Sequence, residues 1–100
     1  TPGAAFLNVM SPCPRGWGYE PSEMMNMCKL AVETCYWPLF EVIDGKWILS
    51  YAPKKKLPLE DFLRPQRRFK HLFKPGNEEL LVAFQAEVDR RWEELRNKCE

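Results

Sequence analysis

The chain has 100 residues, of which 45% are hydrophobic, 13% aromatic and 29% charged. That composition supports a packed core in one domain or a piece of one, and it excludes simple disorder. Fifteen basic and fourteen acidic residues leave a net charge of +1, so no global field points to nucleic acid or a membrane, and nine prolines argue against a plain helical bundle.

The opening Thr1-Pro2-Gly3-Ala4-Ala5, without Met, reads as the start of a piece cut from a longer protein. No charged stretch precedes an apolar one in the manner of a secretory signal. No apolar run approaches the roughly 20 residues that span a bilayer. Residues 5–11 form a short apolar run, which predicts a strand buried on both faces, as in a parallel sheet. The loop Ser11-Pro12-Cys13-Pro14-Arg15-Gly16-Trp17-Gly18 then leaves the carboxyl end of that strand. In open α/β sheets this is the edge where ligands gather. Its prolines fix φ and are expected to keep the loop out of a helix or central strand.

Pro21 suits the first turn of a helix. Met24, Met27, Cys28, Ala31 and Cys35 recur at helical spacing and predict a core-facing stripe through about Tyr36, with Pro38 as the stop. Residues 39–43 and 46–51 flank Asp44-Gly45, a strong hairpin signal. From Ala52 to Lys74 the character changes. Eight basic residues face two acidic ones, a local +6, with Phe62, Phe69, Leu72 and Phe73 interleaved. Residues 59–63 predict a short helix broken at Pro65, and His71 reads as a hydrogen-bonded structural residue rather than a ligand or base. Asn77 is a helix N-cap candidate after Pro75-Gly76. Leu81, Phe84, Val88, Trp92 and Leu95 then lay one apolar face along a long helix, with Glu87–Arg91 and Glu94–Lys98 as i,i+4 ion pairs.

The cysteines are Cys13, Cys28, Cys35 and Cys99, with no Cys-x-x-Cys and a single histidine. A self-contained zinc or iron–sulfur site needs four converging ligands, usually with one close pair. The spacings do not suit a disulfide scaffold either. On one helix, Cys28 and Cys35 would stand about 10.5 Å apart, whereas a disulfide spans about 4.4–6.8 Å. Cys13 sits on a stiff, proline-flanked loop and has two readings. It is a buried loop thiol, or it is a metal or cluster ligand whose co-ligands lie outside this chain. Phosphate-cradling Gly-rich loops and the Gly-x-Ser-x-Gly elbow are absent from the sequence. The residues alone name no reaction.

Ser11-Pro12-Cys13-Pro14-Arg15-Gly16-Trp17 resembles the C-terminal part of the β, thiamine-binding subunit of the 2-oxoacid:ferredoxin oxidoreductases, the pyruvate synthase type. The resemblance continues in Leu30-Ala31-Val32-Glu33-Thr34, Trp37-Pro38-Leu39-Phe40-Glu41-Val42, Tyr51-Ala52-Pro53-Lys54-Lys55-Lys56, Arg68-Phe69-Lys70-His71-Leu72 and residues 88–95. It implies an α/β fold, a fragment of a thiamine-diphosphate-binding domain. Residues 1–51 would end that domain, with a cluster-ligand loop at 11–18. Residues 52–100 would form an extension packing on the domain or on partner subunits.

The resemblance also implies a [4Fe-4S] cluster with three cysteines earlier in the subunit and the fourth at Cys13. Electrons pass from the thiamine-bound intermediate through the cluster to ferredoxin, and the acyl group leaves on CoA. Arg15 is a candidate contact for substrate or cofactor phosphate. The family's Gly-Asp-Gly signature for thiamine diphosphate and Mg²⁺ is absent here, so no catalytic residue is assigned and the isolated segment is expected to be inactive. An anaerobic cytoplasmic setting follows from the resemblance; pyruvate ranks first as the 2-oxoacid, with other 2-oxoacids and oxalate left open. The competing expectation is a non-enzymatic module that docks a partner subunit or ferredoxin through residues 52–74 and the last helix. Nucleic-acid binding lacks any recognised motif.

Overall fold

The computed structural model describes residues 3–99. A single helical turn, α1 (Pro14–Trp17), is followed by a 3₁₀ turn (Pro21–Glu23) that runs into α2 (Met24–Glu33). A hairpin follows, β1 (Leu39–Ile43) with β2 (Lys46–Tyr51), then α3 (Leu59–Leu63), a 3₁₀ segment (Arg67–Phe73) and the long α4 (Glu78–Lys98).

The hairpin is where the sequence puts it. Asp44 and Gly45 both have positive φ, 51° and 77°, the pair of left-handed residues that a tight I′ turn needs. Val42 pairs with Trp47 and Phe40 with Leu49, and the Phe40 and Trp47 rings stack with centroids 5.4 Å apart. These two strands are the whole sheet among the described residues.

The expected strand at residues 5–11 is not formed. The segment has no regular secondary structure, and Phe6, Leu7 and Val9 are 91%, 84% and 72% exposed. A parallel strand is stable only between partner strands that cover both faces, and the described residues supply none.

Helix α2 also ends earlier than its apolar stripe suggests. Cys35 lies beyond it with φ of 65°, its N–H on the Val32 carbonyl at 3.0 Å, while Trp37 N–H closes on the Ala31 carbonyl at 2.9 Å. Thr34 Oγ1 donates back to the Leu30 carbonyl at 2.7 Å. The chain thus turns left-handed several residues before Pro38, and Cys28 and Cys35 do not share a helix.

The core draws on both halves of the chain. Met27 and Ala31 from α2 are fully buried, as are Phe62 and Leu63 from α3. Val88, Trp92 and Leu95 from α4 close over them, with Leu81 and Phe84 half-buried, along the face that the sequence marks. Phe62 is the hub. Trp17 meets it edge-on at 5.7 Å and Tyr36 packs at 4.7 Å. Burying such a side chain contributes about 2–3 kcal/mol.

Polar ties hold the layers in register. Gln85 accepts the Leu59 N–H at 2.8 Å and donates to Asp89, which also pairs with Lys56. The Lys56 ammonium beside Asp89 is the main cause that holds its carboxyl below the usual range. Tyr51 Oη donates to Glu33 at 2.5 Å, tying the hairpin to α2, and that bond raises the phenol's pKa.

Two side chains at α4 depart from expectation. Asn77 occupies the N-cap, but its Nδ2 donates to the His71 carbonyl at 2.5 Å instead of capping. Glu94 pairs with Arg90 at 2.7 Å, and Lys98 lies over the Trp47 ring at 4.8 Å. The Glu87–Arg91 pair forms at 2.9 Å, and hydrogen bonds from Arg90 and Arg91 lower the Glu87 pKa to about 2. No helix among the described residues is long and apolar enough to cross a membrane.

Candidate functional site: the Cys13 turn

Cys13 lies between two prolines, and Pro14 drives it into an extended conformation, φ −88° and ψ 111°. Contrary to expectation, the loop then becomes helical. Pro14 takes the first helical position, where a missing N–H costs nothing. Cys13 is the N-cap: its Sγ accepts the Gly16 N–H at 3.3 Å and its carbonyl accepts Trp17 N–H at 2.8 Å. The sulfur is thus exposed, carries no disulfide, and already receives a backbone hydrogen bond.

The turn closes at Gly18, whose φ is 78°. Its N–H and that of Tyr19 share the Pro14 carbonyl at 2.9 and 3.1 Å. A Cβ at Gly18 would stand 2.7 Å from Arg67 Cβ, so this close approach requires glycine. Arg67 N–H donates to the Gly18 carbonyl at 2.9 Å. Tyr19 Oη donates to the Pro12 carbonyl at 3.1 Å and ties both ends of the loop together. Burial chiefly, with the nearby Cys28 and Cys13, raises the Tyr19 pKa. The phenol therefore stays a donor.

Trp17 is buried beneath the turn. Arg68 lies over its ring, with Cζ 4.2 Å from the centroid, and also faces Phe69 at 4.5 Å. Gln66, fully buried, accepts Arg68 Nε at 2.6 Å and donates to the Phe62 carbonyl at 2.6 Å. Beside Arg68 opens a groove of about 770 Å³, lined among others by Met10, Ser11, Trp17, Tyr36 and Phe84.

The other candidates lie apart. Arg15 is exposed on α1 and pairs with no carboxylate among the described residues. Cys28 is half-buried on α2, and Cys99 follows the end of α4. Cys35 is buried, which raises its thiol pKa and keeps it protonated. His71 is exposed. No group of three or more His, Cys, Asp or Glu side chains converges among the described residues.

The donor set fits one corner of a thiolate-held cluster: a free, accessible sulfur with a backbone N–H already on it, the kind of bond that tunes cluster sulfurs. It does not fit a metal site made by this chain alone. Sequence reasoning singled out Cys13 and Arg15 but missed Tyr19, Gln66, Arg67 and Arg68. The basic, aromatic stretch reads as a docking surface for a partner, and nothing in its spacing signals that two of its arginines meet the Trp17-Gly18 pair some 50 residues earlier.

No family model matches the chain. Pyruvate synthase subunit PorB of Methanosarcina barkeri is 42% identical over 88 residues, which are 87% of this chain and 30% of that protein. The same subunit of Thermotoga maritima is 44% identical over 94 residues, 93% of this chain and 29% of its own length. The chain belongs to the β-subunit family of the 2-oxoacid:ferredoxin oxidoreductases. Within that family it is also similar to ketoisovalerate oxidoreductase subunit VorB of Pyrococcus horikoshii, 39% identical over 101 residues, covering 99% of this chain and 31% of that subunit. The chain therefore spans about a third of the length of the family members it matches. Family members named for pyruvate and for ketoisovalerate match it about equally, so overall identity does not select the oxoacid.

Proposed function

We propose that this segment belongs to an oxidoreductase β subunit that decarboxylates a 2-oxoacid, and that Cys13 supplies one thiolate ligand of a [4Fe-4S] cluster there. The observation that carries the reading is the exposed Cys13 sulfur at the head of α1, hydrogen-bonded to Gly16 N–H at 3.3 Å. When bound, such a cluster supplies one-electron storage. The prolines on either side limit reorganisation of the ligand, and the Gly16 N–H offsets negative charge on its sulfur. Tyr19 and the Arg67 N–H keep the turn in place. Arg15, exposed on the same turn, is the candidate contact for an anionic group of substrate or cofactor.

In this reading the remaining ligands, thiamine diphosphate and Mg²⁺ are held by parts of the subunit outside these residues. Pyruvate is the first oxoacid to test, with CoA as acyl acceptor, ferredoxin as electron acceptor, and the cytoplasm as the setting. Residues 1–51 end the thiamine-type domain, and residues 52–100 brace it and meet other subunits.

The test is iron and acid-labile sulfide content, with a visible spectrum, on the anaerobically purified parent subunit and its Cys13→Ser variant. Loss of the cluster's iron and colour in the variant is expected. Full iron content in Cys13→Ser would overturn the ligand role. Assembly lost on charge reversal at Lys54 to Lys56 would then favour a docking module. Against that second reading, Phe62 and Leu72 of the basic stretch are buried and Lys56 is engaged by Asp89. Phe69 and Phe73 are half-buried, each with an arginine over its ring, so the stretch offers cations with little open aromatic surface.

A further inference from the structure

The Arg67–Arg68 strap meets the Cys13 turn at two points, and only one of them is backbone. Arg67 N–H holds the Gly18 carbonyl. The side chain of Arg68 lies over the Trp17 ring, whose backbone N–H in turn holds the Cys13 carbonyl. The guanidinium is not placed by an acid: among the described residues no carboxylate pairs with it. It is fixed instead by two aromatic faces, by the Tyr36 hydroxyl and by Gln66 Oε1, and Gln66 is itself locked to the Phe62 carbonyl in the core. A cation held by neutral groups keeps its whole field available to whatever charge develops nearby. The planar fork suits this seat, and a lysine could not stack in the same way.

We propose that Arg68 is a positioning residue for Cys13: through Trp17 it holds the turn that presents the sulfur, and its uncompensated charge favours the reduced state of the group bound there. The proposal rests on the reading of Cys13 as a cluster ligand. Adding one electron adds one negative charge beside the turn, so a fixed cation raises the tendency to accept it. The stacking on Trp17 also limits the swing of α1, which slows escape of the ligand.

The experiment is an anaerobic redox titration, followed by electron paramagnetic resonance, on the purified whole enzyme. Wild type is compared with Arg68→Met and Arg68→Lys, and iron release to a chelator is timed in parallel. Arg68→Met removes the charge and keeps an apolar stem. A several-fold fall in its reduced-to-oxidised ratio at a fixed solution potential is expected, with faster iron release. Arg68→Lys keeps the charge but not the planar stack; a smaller fall and faster release are expected. A wild-type potential in Arg68→Met overturns the proposal. Should that variant carry no iron, Arg68→Lys decides, and wild-type potential and release in it overturn the proposal. Cys13→Ser is run beside them. Retained iron there defeats the ligand reading itself, whereas lost iron there with unchanged Arg68 variants defeats only the role of Arg68.

Discussion

Residues 3–9 and residues 11–19 are near neighbours in the chain and opposites in the fold. The first stretch is apolar, exposed and unpaired. The second is rich in Pro and Gly, yet it is the more constrained. Its conformation is over-determined within a few residues: Pro14 sets one end, Gly18 turns the other, and Tyr19 ties back to Pro12. A strand depends on partners supplied from elsewhere, whereas a proline-flanked turn carries most of its own instructions. A side chain displayed on the second arrangement is placed mostly by its chain neighbours, with the Arg67–Arg68 strap added from a distance.

This contrast can be broken at its strongest point. Gly18→Ala must either abandon a φ of 78° or push Arg67 away, and it is expected to lower stability by about 3 kcal/mol. Denaturant unfolding of the chain measures this, and a change within 0.5 kcal/mol, the range of an ordinary surface substitution, would show that the turn is not over-determined. Tyr19→Phe removes a single hydrogen bond to the Pro12 carbonyl and is expected to cost about 1 kcal/mol in the same assay. At the other end of the scale, Phe6→Ser touches a side chain that is 91% exposed. Its melting temperature in the 100-residue chain should match wild type, while in the parent subunit it should fall. Equal loss in both would mean that residues 3–9 pack on this chain after all.

The same distinction explains what the sequence could convey. The hairpin is legible because Asp44-Gly45 encodes its turn locally, and the α4 face is legible because five apolar residues keep helical period over many turns. The end of α2 is not, since a left-handed cysteine gives no stop signal where glycine would be the expected sign. The run at residues 5–11 reads as a strand because its composition suits one, and composition says nothing of whether a partner strand is present. At the site, Cys13 stands out through its two prolines. The Gln66-Arg67-Arg68 strap does not, because contacts across some 50 residues leave no local spacing to read.

The link between Trp47 and the end of α4 carries one more consequence. Trp47 is bridged to Cys99 and its ring lies under the Lys98 ammonium. The hairpin can close, and Tyr51 can reach Glu33, as soon as residues 39–51 are made, but the partners of Trp47 are synthesised about 50 positions later. At a translation rate of about 5–20 residues per second, that is a wait of about 3–10 s. Through this interval the Trp47 face that Lys98 covers stands open on the nascent chain, so this segment is more prone to misassociation until α4 has been made.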